Sequence, residues 1–148
     1  ARVGETRNGS YIEMIAYGVA YKGDNVDVMI RVDVSSKTRE AVVTASELSG
    51  KKVQFLTGVN YHEGQKVSYA EGYISVWGPH PVKAGDESFP IGAGLTYSAK
   101  DFPSVEKTEN MVRLVSKPVS RVRTQGVSCS VKEAELNSAK RFESYMQK

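Results

Sequence analysis

The sequence predicts an all-β protein, mainly antiparallel and built as a small barrel or a sandwich, that ends in an amphipathic C-terminal helix. The first observation is the strict alternation of apolar and polar residues over residues 26–34, which buries one face of a strand and exposes the other. The second is that short polar turns, and not helices, separate the apolar segments, so consecutive strands run antiparallel. The third is the near-helical spacing of apolar residues close to the C-terminus.

Five to seven segments have strand character. The first is β-branched and aromatic and is followed by turn residues at 22–25, so it forms a hairpin with the alternating segment. The third segment is short enough to be a strand or the start of a brief helix. The fifth alternates over its full length, which predicts one continuous strand. The predicted strands are residues 11–21, 26–34, 40–45, 53–59, 67–77, 111–122 and 127–131.

Residues 78–103 have a different composition. They hold four of the five prolines and four glycines, and proline lacks the N–H donor that an interior strand requires. The composition predicts a long ordered loop or flap, with room for a short strand at residues 94–98. Residues 104–110 are predicted to form a single helical turn.

The C-terminal segment is predicted to be a helix over about residues 131–147. Ser130 is a candidate N-cap, and Glu133 three positions later completes a capping-box pattern. Phe142, Tyr145 and Met146 fall on one side of this helix and need a surface to cover. The segment therefore predicts an amphipathic helix that docks on the β core or on another chain.

The length and composition predict a single domain over residues 1–148, with a β core at about residues 10–77 and 111–131. A share of 40% hydrophobic and 25% charged residues is typical of a globular chain. No apolar run approaches the roughly 18 residues of a membrane-spanning helix, so no membrane partner is expected. The lone cysteine, Cys129, rules out an internal disulfide.

No catalytic constellation is visible, and the chain is predicted to be no enzyme and to need no cofactor or metal. His62 and His80 lack the spacing of a metal-binding motif. Cys129 falls on an inward strand face, where a buried, inert thiol is expected. The glycines at 92 and 94 lack the flanking strand and helix of a phosphate-binding loop, so they indicate a flexible loop.

The positive charge is concentrated in the last quarter of the chain. The formal net charge is +3, yet residues 111–148 hold eight basic and three acidic side chains, and residues 111–132 hold no acidic one. Such asymmetry indicates a polyanionic partner. The alternative is a solvated strand face whose charges keep the protein soluble.

Tyrosines on the predicted strands supply a second ingredient of nucleic-acid binding. Single-stranded nucleic acid is bound by aromatic rings that stack on bases and by cations that neutralise phosphates. Two aromatic stripes, each on one face of a predicted strand, would lie beside the basic segment; the alternative is that these rings fill the core. The predicted nucleic-acid-binding residues are Tyr11, Tyr17, Tyr21, Tyr69, Tyr73, Trp77, Arg113, Lys117, Arg121 and Arg123.

Short runs of the chain resemble the single-stranded DNA-binding proteins of filamentous phages. The similar runs are Gly18-Val19, Gly23, Glu63-Gly64-Gln65, Tyr69-Ala70, Gly72-Tyr73 and Val76. The resemblance needs an insertion between its two halves and leaves the C-terminal part of the chain unmatched. It implies a five-stranded oligonucleotide-binding barrel and a dimer that coats single-stranded DNA cooperatively. Of the matched positions, only Tyr69 and Tyr73 are carried over, as stacking residues.

The sequence therefore favours a non-enzymatic, single-stranded nucleic-acid-binding protein of phage or plasmid type. The alternative is a self-assembling viral subunit of a coat, tail or cement layer, and a small-ligand-binding barrel is a third option. In either of the first two cases we expect a homo-oligomer that forms through the C-terminal helix and the loop at residues 78–103. The expected location is the cytoplasm or a virion.

Overall fold

The computed structural model describes residues 1–83 and 85–148, which form eleven strands and one helix. The strands are β1 (Arg2–Thr6), β2 (Gly9–Tyr21), β3 (Asp24–Ser35), β4 (Ala41–Glu47), β5 (Leu56–Asn60), β6 (Lys66–Ala70), β7 (Tyr73–Pro79), β8 (Pro90–Tyr97), β9 (Ser104–Lys107), β10 (Met111–Val115) and β11 (Arg121–Ser130). The helix is α1 (Ala139–Met146).

The strands form two antiparallel sheets. The large sheet has eight strands in the order β1-β2-β3-β4-β11-β8-β7-β6, and the small sheet has three in the order β5-β10-β9. The predicted all-β, antiparallel class with a C-terminal helix is thus confirmed. β1 and β6 are the two edges of the large sheet, so the sheet is open and is not a closed barrel.

The large sheet has a different cover on each of its faces. On one, which we call the core face, residues such as Ile74, Val76 and Val122 pack against Val112 and Leu114 of the small sheet. On the other, the helix face, Phe142 and Met146 of α1 pack with Tyr73, Val127 and Cys129. The molecule is therefore three layers thick where both covers are present.

Strands β1, β2 and β3 form an arm that neither cover reaches. Within the described residues, neither of the two hydrophobic clusters includes a residue of these strands. The arm is anchored at its hairpin tip, where the Tyr21 hydroxyl accepts a hydrogen bond from the Gln54 amide at 3.0 Å. Lys51 pairs with Asp24 at 2.5 Å on the same tip. The arm is held in place at this tip, where Val26 is buried, and neither the small sheet nor α1 covers the rest of it.

The single strand predicted over residues 67–77 is wrong. The chain reverses between β6 and β7, which pair in register from Ala70↔Tyr73 to Lys66↔Trp77. Gly72 has a φ of 93°, a left-handed conformation that glycine adopts without a Cβ penalty. A short turn at this glycine thus lies inside a run whose alternation is nearly unbroken.

The loop predicted for residues 78–103 contains an interior strand. β8 pairs with β7 on one side and with β11 on the other. Prolines do not prevent this because Pro79 and Pro90 lie at the ends of β7 and β8 and face each other in the register. Within the strand, Gly92 and Gly94 are not flexible loop residues: they leave space for the side chains of α1.

Further bounds differ from the sequence predictions, and the strand predicted at 111–122 is divided between β10 and the start of β11. The helical turn predicted at 104–110 is wrong, because its first half is β9, paired with β10. The segment at 40–45 is a strand, which is one of its two predicted alternatives. β1 was not predicted. The helix starts later than predicted, since Ser138 is its N-cap and its hydroxyl accepts from the Arg141 amide. Ser130 and Glu133 form a separate turn.

Candidate functional site

The core face of the arm carries an exposed apolar surface, which we call the arm patch. Strand register places five of its members in two adjacent rows, one that joins β1, β2 and β3 and one that joins β2 and β3. The sixth, Val34, lies in the neighbouring row, opposite Ser10. The patch consists of Val3, Ile12, Met14, Ile30, Val32 and Val34. Val3 is 77% exposed, Val34 47%, Met14 41% and Ile30 39%.

The apolar surface of the arm patch is continuous with the apolar residues of the buried core. Val32 pairs with Val43 of β4, and Ile30 pairs with Ala45, which packs in the core under the small sheet. A shallow groove of about 470 Å³ runs across the patch between Val3 and Val34. The small sheet thus covers the apolar surface over one half of the large sheet and leaves it open over the other half.

The opposite face of the arm is charged. Glu13 is only 6% exposed and forms ion pairs with Arg2 and Arg31. Hydrogen bonds from these two guanidinium groups hold the pKa of Glu13 below its usual range, although burial opposes the shift. Arg31 also pairs with Asp33 at 2.7 Å and stacks over the Tyr11 ring, 3.8 Å from its centroid.

Three arginines lie together on this helix face, and we call them the arginine cluster: Arg31, Arg121 and Arg123. Arg31 and Arg123 are opposite the same β4 residue, Thr44, and Arg121 is opposite its neighbour on that face, Ser46. Small hydroxyl side chains therefore separate the arginines, of which Arg31 is half-buried. Within the described part of the chain, Arg121 and Arg123 are exposed and form no ion pair.

The first predicted aromatic stripe is divided between the two faces of the arm. The register of β2 against β3 shifts between Ala16 and Val19, so Tyr21 projects to the core face while Tyr11 projects to the helix face. Tyr11 is half-buried under Arg31, and the Tyr21 hydroxyl is bonded at the hairpin tip. Tyr17, next to the shift, is 74% exposed and is the only one of the three that is freely accessible.

The second predicted stripe is divided by the β6–β7 turn. Tyr69 pairs with Ile74 and belongs to the core face, whereas Tyr73 and Trp77 belong to the helix face. Tyr73 is 5% exposed, and Trp77 packs 6.0 Å from the Phe142 ring. Tyr73 and Trp77 therefore fill the core under α1, as the alternative interpretation expected, and Tyr69 is half-exposed on the other side of the sheet.

The predicted basic segment is divided as well. Arg113 lies on β10 of the small sheet and pairs with Glu106 at 2.5 Å. Lys117 follows β10 and lies 3.8 Å from Asp101. Arg121 and Arg123 begin β11 of the large sheet and project from its helix face. Only these last two of the ten predicted residues come together as an accessible charged pair.

Sequence reasoning missed the arm patch and Arg31. The alternation of residues 26–34 shows that β3 has an apolar and a polar side, but it does not show whether the apolar side is covered. Arg31 is on the polar side of that same run. A strand-pairing pattern that places Arg31 and Arg123 across Thr44 would have identified the arginine cluster.

A cavity of about 580 Å³ lies beside the C-terminal end of α1 on the helix face. Glu40 and Tyr145 line it and are hydrogen-bonded to each other, and Thr96 donates to Gln125 at 3.3 Å. These four polar side chains thus satisfy one another in pairs. This cavity is where a small ligand, the third option named from the sequence, would bind.

The residues considered for metal binding or catalysis, His62, His80 and Cys129, are packed against other side chains. The rings of His62 and His80 meet edge to face at 5.0 Å, and among residues 1–83 and 85–148 no group of three or more metal-binding side chains is clustered. Burial raises the pKa of Cys129 to about 11. No helix in the described residues is long and apolar enough to cross a membrane.

Comparisons with known proteins give no relative. No protein-family model matches the chain, and neither a curated protein nor a solved structure matches it.

Proposed function

We propose that this protein is a self-assembling structural subunit whose copies join through the arm patch. The observation that carries the proposal is the uncovered apolar half of the core face. Contiguous apolar patches of more than a few hundred Å² are rare on isolated proteins and mark contact surfaces. A virion coat, tail or cement layer is the setting that the sequence suggested for such a subunit.

The chemistry of the patch favours a second copy of the chain as its occupant. The patch carries no cation, so it does not suit nucleic acid or an anionic membrane. At about 3.3 Å per residue and 4.8 Å between strands, the three strands of the arm present roughly 450 Å² in projection. Side chains that protrude from a pleated sheet expose more area than this, so the arm offers more than half of the about 800 Å² per partner of a standard interface.

The half-covered sheet also fits a two-fold pair sterically. A rotation about an axis parallel to the strands stacks one arm patch on the other, as in a β-sandwich. The same rotation carries the rest of the partner's large sheet away from the small sheet of the first copy. Each arm would then occupy the layer that the small sheet leaves empty.

This contact differs from the oligomer interface expected from the sequence. Phe142 and Met146 of α1 are 1% and 3% exposed because they pack on the chain's own sheet. Residues 90–97 of the segment at 78–103 are the interior strand β8. The buried face of α1 and this strand are thus used inside the subunit.

We expect the wild-type protein to sediment as a dimer or larger species at micromolar concentration and the Met14→Lys variant to sediment as a monomer. The reason is that the substitution places like charges opposite each other in a two-fold apolar interface. A cost of roughly 2.7 kcal/mol in the free energy of association would lower the affinity a hundred-fold. Analytical ultracentrifugation over a wide concentration range measures the effect.

Ile15→Lys is the matched control. Ile15 is adjacent in β2 and has the same 41% exposure, but it projects from the helix face. Its variant should assemble like the wild type. A wild-type protein that stays monomeric at all concentrations, or one that binds lipid vesicles through the patch instead, contradicts the proposal.

Nucleic-acid binding is the second candidate function, and the accessible, unpaired Arg121 and Arg123 favour it. We expect a labelled single-stranded oligonucleotide to bind at low salt and to dissociate as salt rises, because each neutralised phosphate releases counterions. Arg121→Gln with Arg123→Gln should reduce the salt slope by about 1.4 for two lost contacts. Arg113→Gln, which removes a paired arginine on the small sheet, should change little in the same anisotropy titration. Equal loss in both variants would contradict this candidate.

A further inference from the structure

We propose that two copies, paired through their arm patches, bind the phosphodiester backbones of two nucleic-acid strands, one on each outer face of the pair. The pair thereby bridges the two nucleic-acid strands. The proposal rests on the pairing proposed above. It joins that pairing to the arginine cluster, which lies on the other face of the same large sheet.

The two surfaces are arranged back to back. The arm patch faces the layer of the small sheet, whereas Arg31, Arg121 and Arg123 project from the helix face. Stacking two arm patches therefore directs both arginine clusters outward, on opposite sides of two sheets that lie about 10 Å apart. No single strand can contact both clusters at once without wrapping around the pair.

The cluster is suited to phosphates. Together with Arg2 at the arm edge it supplies four guanidinium groups, against the carboxylates of Glu13, Asp27 and Asp33 on the same face. Guanidinium groups bind phosphate through paired hydrogen bonds. Arg31 is committed to its carboxylates, but Arg121 and Arg123 keep their donors free within the described residues. The net positive charge of the face thus resides mainly on β11.

Base stacking contributes little in this arrangement. Tyr11, on the helix face of the arm, is covered by Arg31. Tyr17 lies at the register shift of β2, away from the arginines of β11. Binding through phosphates alone does not discriminate between base sequences. We therefore infer contact with the backbone rather than readout of bases.

The test uses the full chain and two oligothymidylate 20-mers. One oligonucleotide is fixed on beads and the other is fluorescent in solution, and protein is added below saturation at low salt. We expect the wild-type protein to retain the fluorescent oligonucleotide on the beads. The Arg121→Gln, Arg123→Gln double variant should lose at least ten-fold of this capture while it sediments as the wild type does.

The Met14→Lys variant separates the two proposals. It should still bind a single oligonucleotide by anisotropy but should capture no second one. Ile15→Lys, which leaves the pairing face unchanged and adds a cation to the helix face, should capture at least as much as the wild type. A wild-type pair that binds one oligonucleotide and never captures a second overturns the bridging while the assembly stands. A monomeric wild type, detected by sedimentation without nucleic acid, overturns both.

Discussion

Replacing Phe142 with alanine is expected to lower the free energy of unfolding by about 3–5 kcal/mol, the usual cost of removing a fully buried aromatic side chain. Phe142 is 1% exposed and anchors α1 to the helix face, where it contacts Trp77 and Cys129. Its loss leaves a cavity between the helix and β8 that the rigid sheet cannot close. Urea unfolding followed by circular dichroism measures the change.

Lys140→Ala in the same helix provides the comparison. Lys140 is exposed, and alanine is a strong helix former, so this variant should unfold within about 0.5 kcal/mol of the wild type. A Phe142→Ala variant that is as stable as Lys140→Ala would show that α1 does not contribute to the folded core.

Replacing Gly92 with alanine should destabilise the protein by about 1–3 kcal/mol through overpacking. A Cβ at this position would lie 2.8 Å from the sulfur of Cys129 and 2.8 Å from a ring carbon of Phe142. Both neighbours are buried, so neither can move aside without displacing the helix. The measurement is the shift of the urea midpoint at unchanged slope.

Gly126→Ala is the matched substitution in the neighbouring strand. There the new Cβ would meet its nearest atom, on Leu95, at 3.6 Å, an ordinary contact. This variant should remain close to wild type. Combining Gly92→Ala with Phe142→Leu should cost less than the sum of the two single changes, because the smaller side chain frees space for the methyl group. Additive costs would show that the two residues do not compete for the same space.

Local patterning was sufficient for the class of fold and for several strands. The alternation in residues 26–34 corresponds to β3, and the turn residues at 22–25 correspond to the β2–β3 hairpin. A hairpin joins strands that are adjacent in the sequence, so the local residue pattern is enough to predict it. The class of fold followed because each local segment favoured extended chain.

The errors arose where tertiary contacts override local composition. In the Gly/Pro-rich segment, Gly92 and Gly94 belong to the strand β8. Glycine is needed there because side chains of α1, which is distant in the sequence, occupy the space that a Cβ would fill. The tyrosine stripes failed because a turn at Gly72 and a register shift after Ala16 each reverse the facing of the residues that follow. A one-residue change in register sends every later side chain to the other face.

The candidate surfaces could not be found from periodicity alone. An apolar strand face has the same pattern whether a second layer covers it or not, so the pattern predicts Val32 and Ile30 but not their exposure. The arginine cluster depends on β3 and β11 being separated only by β4, and that neighbourhood is a property of strand order. Strand order is set by long-range pairing, which composition does not encode.

The position of Cys129 beneath α1 gives the chain a built-in chemical probe. Its sulfur is the only thiol in the sequence and is shielded by Phe142, and its raised pKa keeps it protonated at neutral pH. Alkylating reagents attack the thiolate and need access to it. The rate of alkylation under native conditions therefore reports how often the helix lifts from the sheet, with no label introduced into the protein.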